Sequence, residues 1–342
     1  MVKTQIAYLA LGQNFDPSLG KGVQKYIYEL YVHLRAITKD VKKVAPARGK
    51  YGFTLLELIY PFYKYDLIHM PCPIAFNPPL RKCPTITTLH ELVVHDNSNE
   101  YLKINDKSNK FSFDIMGKFI RKQIFGSDYL MANSTQTFNE AITQGYPQDR
   151  IFLVHLAISD KFISKIQNKK SHKEFKVGYI GTHNKRKNVG FAVKALNLIE
   201  DPEVKFEIWG DGPESIYLKQ LAQNRNIVFR GFAPEEKIVN IYDSFDAFVF
   251  PSYYEGFGLE ILEAQARGLP VIIYKHAKIP KEVKKYCFEA ESPEHMAQII
   301  EQLKENGYNE KKRKEAMEYA RSFTAEKMAL ETYKVYEKVA SK

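Results

Sequence analysis

The densest group of chemistry-bearing residues lies at 248–273, where the chain reads FVFPSYYEGFGLEILEAQARGLPVII. Glu255 and Glu263 stand there with seven residues between them. Carboxylates accept two hydrogen bonds without competing as donors, so they suit the vicinal hydroxyls of a sugar or a ribose. Gly256 and Gly258 bracket Phe257 just before an apolar stretch that starts at Leu259 and stops at Gly268 and Pro270. Glycines let the backbone approach a ligand closely, and the amides that open a helix favour a phosphate or a polarised hydroxyl. A second group is Thr182, Arg186 and Lys187, in a turn that follows Gly181 and precedes the apolar stretch 190–199. Arginine grips a diphosphate bidentately, lysine adds a point charge, and Asn188 is placed to cap the helix. Plainer readings stand beside these. Glu263 is spaced to pair with Arg267 at i+4, Glu255 fits an ordinary surface loop, and 185–187 fits a basic surface turn.

Positioning such groups takes strands and helices in alternation. Short apolar runs at 5–11, 43–45, 67–70, 85–89, 129–132 and 151–154 read as strands, with six more at 175–180, 205–209, 227–230, 247–250, 270–274 and 286–288. Longer helical patterns separate them, which predicts an α/β fold with two parallel sheets. The polar stretch 161–173 between the two sets carries five lysines and little that could enter a core. The expected division is 1–166, 167–324 and a final helix, 325–342, whose Met328, Ala329, Tyr333, Tyr336 and Val339 recur at helical spacing.

The 342 residues, 44% hydrophobic and 26% charged, exclude a miniprotein and a disordered chain and allow two domains. A net charge of +10 points to phosphate-bearing partners: nucleic acid, an anionic membrane or phosphorylated ligands. Cys72, Cys83 and Cys287 lack the spacing of a zinc site and make an odd number for a disulfide framework. The apolar run 6–11 is short for a signal peptide, and no run approaches the ~18 apolar residues of a membrane span, so a cytoplasmic protein is expected. Neither GxGxxG nor the phosphate loop GxxxxGK[ST] opens a helix, and no nucleic-acid reading motif is present. The segment 102–122 carries six basic residues among Phe111, Phe113, Ile115, Met116, Phe119 and Ile120. It reads as an amphipathic helix for an anionic membrane or an acidic partner, or more plainly as a helix with a solvated basic face.

The 248–273 segment strongly resembles the donor-binding signature of the family 4 retaining glycosyltransferases, which have the GT-B fold: Glu-x(7)-Glu preceded by Pro-Ser, EGFGL in the loop, and a small-residue helix ending in G-x-P-V. The resemblance continues at 181–189, where the Arg-Lys-Asn triplet looks like the family's diphosphate loop, and at 209–213, 228–232, 88–91 and 132–135. At 22–30 it looks like the glycine-led first helix, with Lys21-Gly22 where the family has Gly-Gly. Thr182 stands where many members carry arginine, so Arg186 is expected to substitute.

This resemblance implies two Rossmann-like domains facing a cleft, with the last helix crossing back to the first. It implies transfer of a sugar from a nucleoside diphosphate sugar, as co-substrate, to a hydroxyl on a glycan or lipid-linked acceptor, with retention of anomeric configuration. Glu263 would hold the ribose, and Glu255 with the amides of Gly256, Phe257, Gly258 and Leu259 would hold the sugar and the distal phosphate. Arg186, Lys187 and the Gly22 amide would offset charge on the leaving diphosphate, with Thr182 beside them and His90 in the cleft. No metal or further cofactor is expected, in keeping with the lack of Asp-x-Asp. The expected location is cytoplasmic, with 102–122 offering peripheral contact to the inner face of the membrane. A nucleotide-sugar epimerase or another enzyme of this fold, such as a phosphorylase, is the nearest rival. A basic nucleic-acid or membrane-surface module without catalysis is the rival of another class.

Overall fold

The structure is a computed structural model that describes residues 4–9, 22–44, 62–72, 81–92, 121–166 and 173–341. Its described residues form two compact units. One comprises the parts up to Ala157 together with the chain from Phe323 onward, and the other runs from Ile158 to Ser322.

The first unit holds a six-stranded sheet of β1 (Ile6–Leu9), β2 (Val41–Val44), β3 (Leu67–Met70), β4 (Thr85–Leu89), β5 (Tyr129–Ala132) and β6 (Ile151–Leu153). They lie in the order β2-β1-β3-β4-β5-β6 and every pair is parallel. Strands β1, β3 and β4 are buried along their whole length, so their polar residues His69, Thr85, Thr87 and Thr88 are buried too, and none of the three alternates between a core face and a solvent face. Edge strand β2 buries Val41 and Val44 and exposes Lys42 and Lys43. The strand was expected at 43–45 and starts instead at Val41, because its edge position tolerates exposed lysines. Helix α1 (Gly22–Ile37) lays Tyr26, Ile27, Leu30 and Leu34 inward, spaced for one face of a 3.6-residue helix.

The second sheet is made of β7 (Phe175–Ile180), β8 (Val204–Trp209), β9 (Ile227–Gly231), β10 (Ala247–Phe250), β11 (Val271–Tyr274) and β12 (Phe288–Ala290). Its order is β12-β11-β10-β7-β8-β9, again all parallel. The chain moves outward from β7 to β9, then returns to the other side of β7 with β10. Ligands of open α/β sheets bind beyond the carboxyl ends of the strands at such a reversal, here β7 and β10. Helices α2 (Val189–Asn197), α3 (Leu259–Ala266) and α4 (Pro293–Asn306) belong to this unit. Val193 and Leu196 of α2 and Met296 and Ile300 of α4 pack on Val177, Phe206, Ile208, Val249 and Ile272. Each such buried side chain contributes about 2 kcal/mol of hydrophobic stabilisation before entropy is counted.

Two expectations shift. Strand β12 starts at Phe288 because Tyr286 and Cys287 finish the turn after helix 281–284, the Cys287 amide donating to Lys284 O at 3.0 Å. Residues 158–164 join the second unit. Phe162 is buried with its ring edge against Tyr242, and Arg267 donates to the carbonyls of Phe162 and Ser164.

The chain ends in α5 (Ala325–Ala340), capped by Thr324, whose hydroxyl accepts from the Lys327 amide at 3.2 Å. This helix returns to the first unit, burying Met328, Ala329, Val335, Tyr336 and Val339 and packing on α1.

Candidate functional site

Beyond the carboxyl end of β10 the chain turns at Pro251 and Ser252, crosses the loop 253–257 and enters α3 through Gly258. Gly258 has φ +97°, in the left-handed region that favours glycine, and a Cβ there would meet nothing closer than 3.5 Å. Its glycine requirement is therefore conformational rather than steric. Gly258, at the cap position, has no side chain to offer α3, and Glu260 stands in the first turn, at the positive end of the helix dipole.

Four charged side chains meet at this point. The Glu255 carboxylate is nearly buried and receives Lys187 Nζ on Oε1 at 2.9 Å and Arg186 Nη1 on Oε2 at 2.9 Å. Ser252 Oγ also donates to Oε1, at 2.5 Å. Lys187 reaches Glu260 Oε1 at 3.2 Å and lies 4.7 Å from the centre of the Phe250 ring. Arg186 further donates to Tyr254 O at 2.7 Å. Burial alone would raise the Glu255 carboxyl, yet the charges of Lys187 and Arg186 and the bonds from Lys187 and Ser252 hold it below its ordinary 4.5. Burial likewise pulls the Lys187 ammonium down, and the charges of Glu255 and Glu260 outweigh it and leave it above 10.5. Both groups are ionised at neutral pH.

The turn that carries Lys185, Arg186 and Lys187 is a single 3₁₀ turn, and its cap differs from the expected one. Asn184 caps it by accepting from the Lys187 amide at 3.0 Å. Asn188 sits at φ +50° and sends its side-chain amide to Pro251 O at 3.1 Å, so it ties the basic turn to the β10 loop instead of capping α2. Thr182 lies exposed just after β7, its carbonyl accepting from Tyr179 OH at 3.1 Å. Gly256 and Phe257 are buried. Glu263 accepts from the buried Tyr242 hydroxyl at 3.0 Å. The plainer pairing with Arg267 does not form, because Arg267 grips Asp243 with two bonds of 2.7 Å.

Gly22 and His90 belong to the first unit. Gly22 is the exposed first residue of α1. His90, at the carboxyl end of β4, is half-buried. Its Nε2 donates to Pro71 O at 2.9 Å and its ring stands edge-on to Tyr26 at 4.8 Å. Burial brings its pKa down to about 4, so it is neutral with the proton on Nε2. A buried polar chain runs behind it: Tyr336 OH to His69 Nδ1 at 2.6 Å, His69 Nε2 to Thr88 Oγ1 at 2.8 Å, and Thr88 Oγ1 to Tyr26 OH at 3.0 Å.

Among the expected residues, the structure thus brings Arg186, Lys187 and Glu255 into direct contact and places Gly258 and Leu259 at the opening of the adjacent helix. Sequence reasoning gave Ser252, Glu260 and Tyr242 no role. An acid in the first turn of a helix is an ordinary preference, so nothing in the sequence marked Glu260. Of the basic segment 102–122 only Arg121 and Lys122 are described. Arg121 donates to Gln144 Oε1 at 2.6 Å and lies 4.9 Å from the Phe125 ring, and the rest of the segment lies outside the described residues. Among the described residues no helix is long and apolar enough to cross a membrane. A cavity of ≈ 530 Å³ in the second unit is lined by Phe175, Asp246, Pro270 and Tyr308, at the amino ends of β7, β10 and β11. It lies away from the Glu255 cluster, at the end of the sheet where ligands of this architecture do not bind.

Residues 160–323 match the family model described as glycosyl transferases group 1. The O-antigen chain mannosyltransferase B of Escherichia coli is 26% identical over 297 residues, which cover 80% of this chain and 74% of that protein. Sucrose-phosphate synthase from Thermosynechococcus elongatus has a TM-score of 0.74 at 18% identity, with 99% of each chain covered. The Anabaena protein HepE in complex with UDP and glucose has a TM-score of 0.63 at 17% identity, covering 98% of this chain and 99% of that one. The two structures share the fold: an α/β architecture of two six-stranded parallel sheets, as in the GT-B glycosyltransferases. The family match and the mannosyltransferase relative support glycosyltransferase activity of group 1. Arg186, Lys187, Glu255 and Glu263 all fall inside the matched region; Gly22 and His90 fall outside it.

Proposed function

We propose, from the group 1 glycosyltransferase match and the cluster beside it, that the chain is a retaining transferase moving a sugar from a nucleoside diphosphate sugar to a hydroxyl of a glycan or lipid-linked acceptor. The observation that carries this reading is the pinning of Glu255 between Arg186 and Lys187 at the start of α3. Lys187, Arg186 and Ser252 orient this carboxylate, and a carboxylate is an acceptor suited to a sugar hydroxyl. The two cations and the opening amides of α3 then meet the diphosphate as the bond to the anomeric carbon breaks. Preorganised charge of this kind is commonly the largest catalytic contribution, and here protein cations supply it without a metal. Glu263, oriented by Tyr242, takes the ribose. Thr182, Gly256 and Phe257 border the donor.

The test is a panel of nucleotide sugars scored by thermal stabilisation, since a ligand of the folded state stabilises it in proportion to its affinity. One donor should raise the transition, and Lys187→Ala should lower kcat/KM with that donor by roughly two to three decades. Unchanged sugar transfer by Lys187→Ala would sink the diphosphate assignment. Stabilisation by oligonucleotides and by no nucleotide sugar would favour the binding-module reading.

A further inference from the structure

The cluster that would receive a diphosphate carries no net charge. Arg186 and Lys187 supply two positive charges, and Glu255 and Glu260 supply two negative ones. An anion entering a neutral site gains little unless one carboxylate withdraws. The two carboxylates are not equally placed to do so. Glu255 has a side chain 9% exposed and is held by Lys187, Arg186 and Ser252. Glu260 has a side chain 30% exposed, and its contact with Lys187 is the longer of the two, 3.2 Å against 2.9 Å. Glu260 also sits in the first turn of α3, where a carboxylate and a phosphate oxygen are attracted by the same amides and the same dipole.

We propose that Glu260 is a built-in stand-in for a phosphate oxygen: its carboxylate occupies the Lys187 ammonium in the ligand-free protein and yields that place to the donor diphosphate. Glu260 therefore positions Lys187 and limits how tightly the site holds a diphosphate. It keeps a buried ammonium fully partnered before substrate arrives, and it returns to Lys187 as the nucleoside diphosphate leaves. This rests on the diphosphate reading of Arg186 and Lys187.

The experiment compares wild type, Glu260→Gln and Glu260→Asp for binding of inorganic pyrophosphate and of UDP, GDP and ADP by calorimetry at low salt. Glu260→Gln should bind pyrophosphate and the preferred nucleotide roughly three- to fivefold more tightly, the scale of one partly exposed ion pair, and the gap should close as salt is raised. Glu260→Asp, which keeps the charge, should stay near wild type. In turnover, Glu260→Gln should lower the donor KM, whereas a residue that only supports the fold would raise it. Glu260→Ser provides a second neutral side chain suited to a first helical turn, with the same expected sign. Equal or weaker binding by both neutral variants, with wild type binding normally, overturns the role of Glu260 alone. Failure of wild type to bind pyrophosphate or any of the three nucleotides overturns the diphosphate reading and this role with it.

Discussion

A buried ammonium survives in a protein only where its charge is answered, and Lys187 is answered by two carboxylates and an aromatic face. Glu255 is the shared partner of both cations, so Glu255→Gln leaves Arg186 and Lys187 short of a counter-charge. It should destabilise the ligand-free protein by about 3 kcal/mol in urea denaturation. The pH dependence follows from the two displaced equilibria. The Glu255 carboxyl, held below 4.5, contributes fully above that value and loses its contribution as pH falls through the lowered one. The Lys187 ammonium, held above 10.5, contributes fully below that value and loses its contribution as pH rises through the raised one. The stability gap between wild type and Glu255→Gln should therefore be flat at neutral pH and shrink below pH 4.5. A gap that persists unchanged into strong acid would show that the carboxylate charge is not what holds the cluster.

At the scale of elements, the buried Tyr336 hydroxyl ties α5 to His69 of the first sheet. Burial, and secondarily the neighbouring His90, brings the His69 pKa down to about 3, so both ring nitrogens need neutral partners. Tyr336→Phe leaves Nδ1 without one and should cost about 2 kcal/mol, read as a lower urea midpoint with the Glu255 cluster of the second unit unaltered. A variant as stable as wild type would mean that water replaces the hydroxyl. The strands were legible because parallel sheets covered on both faces favour short runs rich in apolar and β-branched residues, and β3, β4, β7 and β10 fall on the expected bounds. Helix α5 was legible from its stripe of Met328, Ala329, Tyr336 and Val339. What joined these elements was not. Arg186 and Tyr254 lie 68 positions apart, and His69 and Tyr336 lie 267 apart, so the sequence around each partner carries no trace of the other. Asn188 failed as a predicted cap for a local reason: a left-handed backbone turned its side chain toward Pro251.

At the scale of the whole molecule, the net charge of +10 divides into a part with a structural address and a part without one. Arg186 and Lys187 are committed to the cluster at α3. The basic segment 102–122 lies mostly outside the described residues, and its sequence fits an anionic membrane, an acidic partner or a solvated basic face. Reversing the charges of Lys118, Arg121 and Lys122 should abolish co-sedimentation with anionic vesicles at low salt, and equal sedimentation of both forms would remove the membrane from consideration. The return of α5 to the first unit also sets an order of events in biosynthesis. The ribosome completes Ile158–Ser322 before it makes the helix that covers His69. The second unit can therefore close while the first still waits, its α1 face uncovered, and the entropy of bringing the two ends of the first unit together is reduced once the intervening chain is compact. A nonsense mutation just after Ser322 would spare the second unit and strand the first, the reverse of what distance along the chain would suggest.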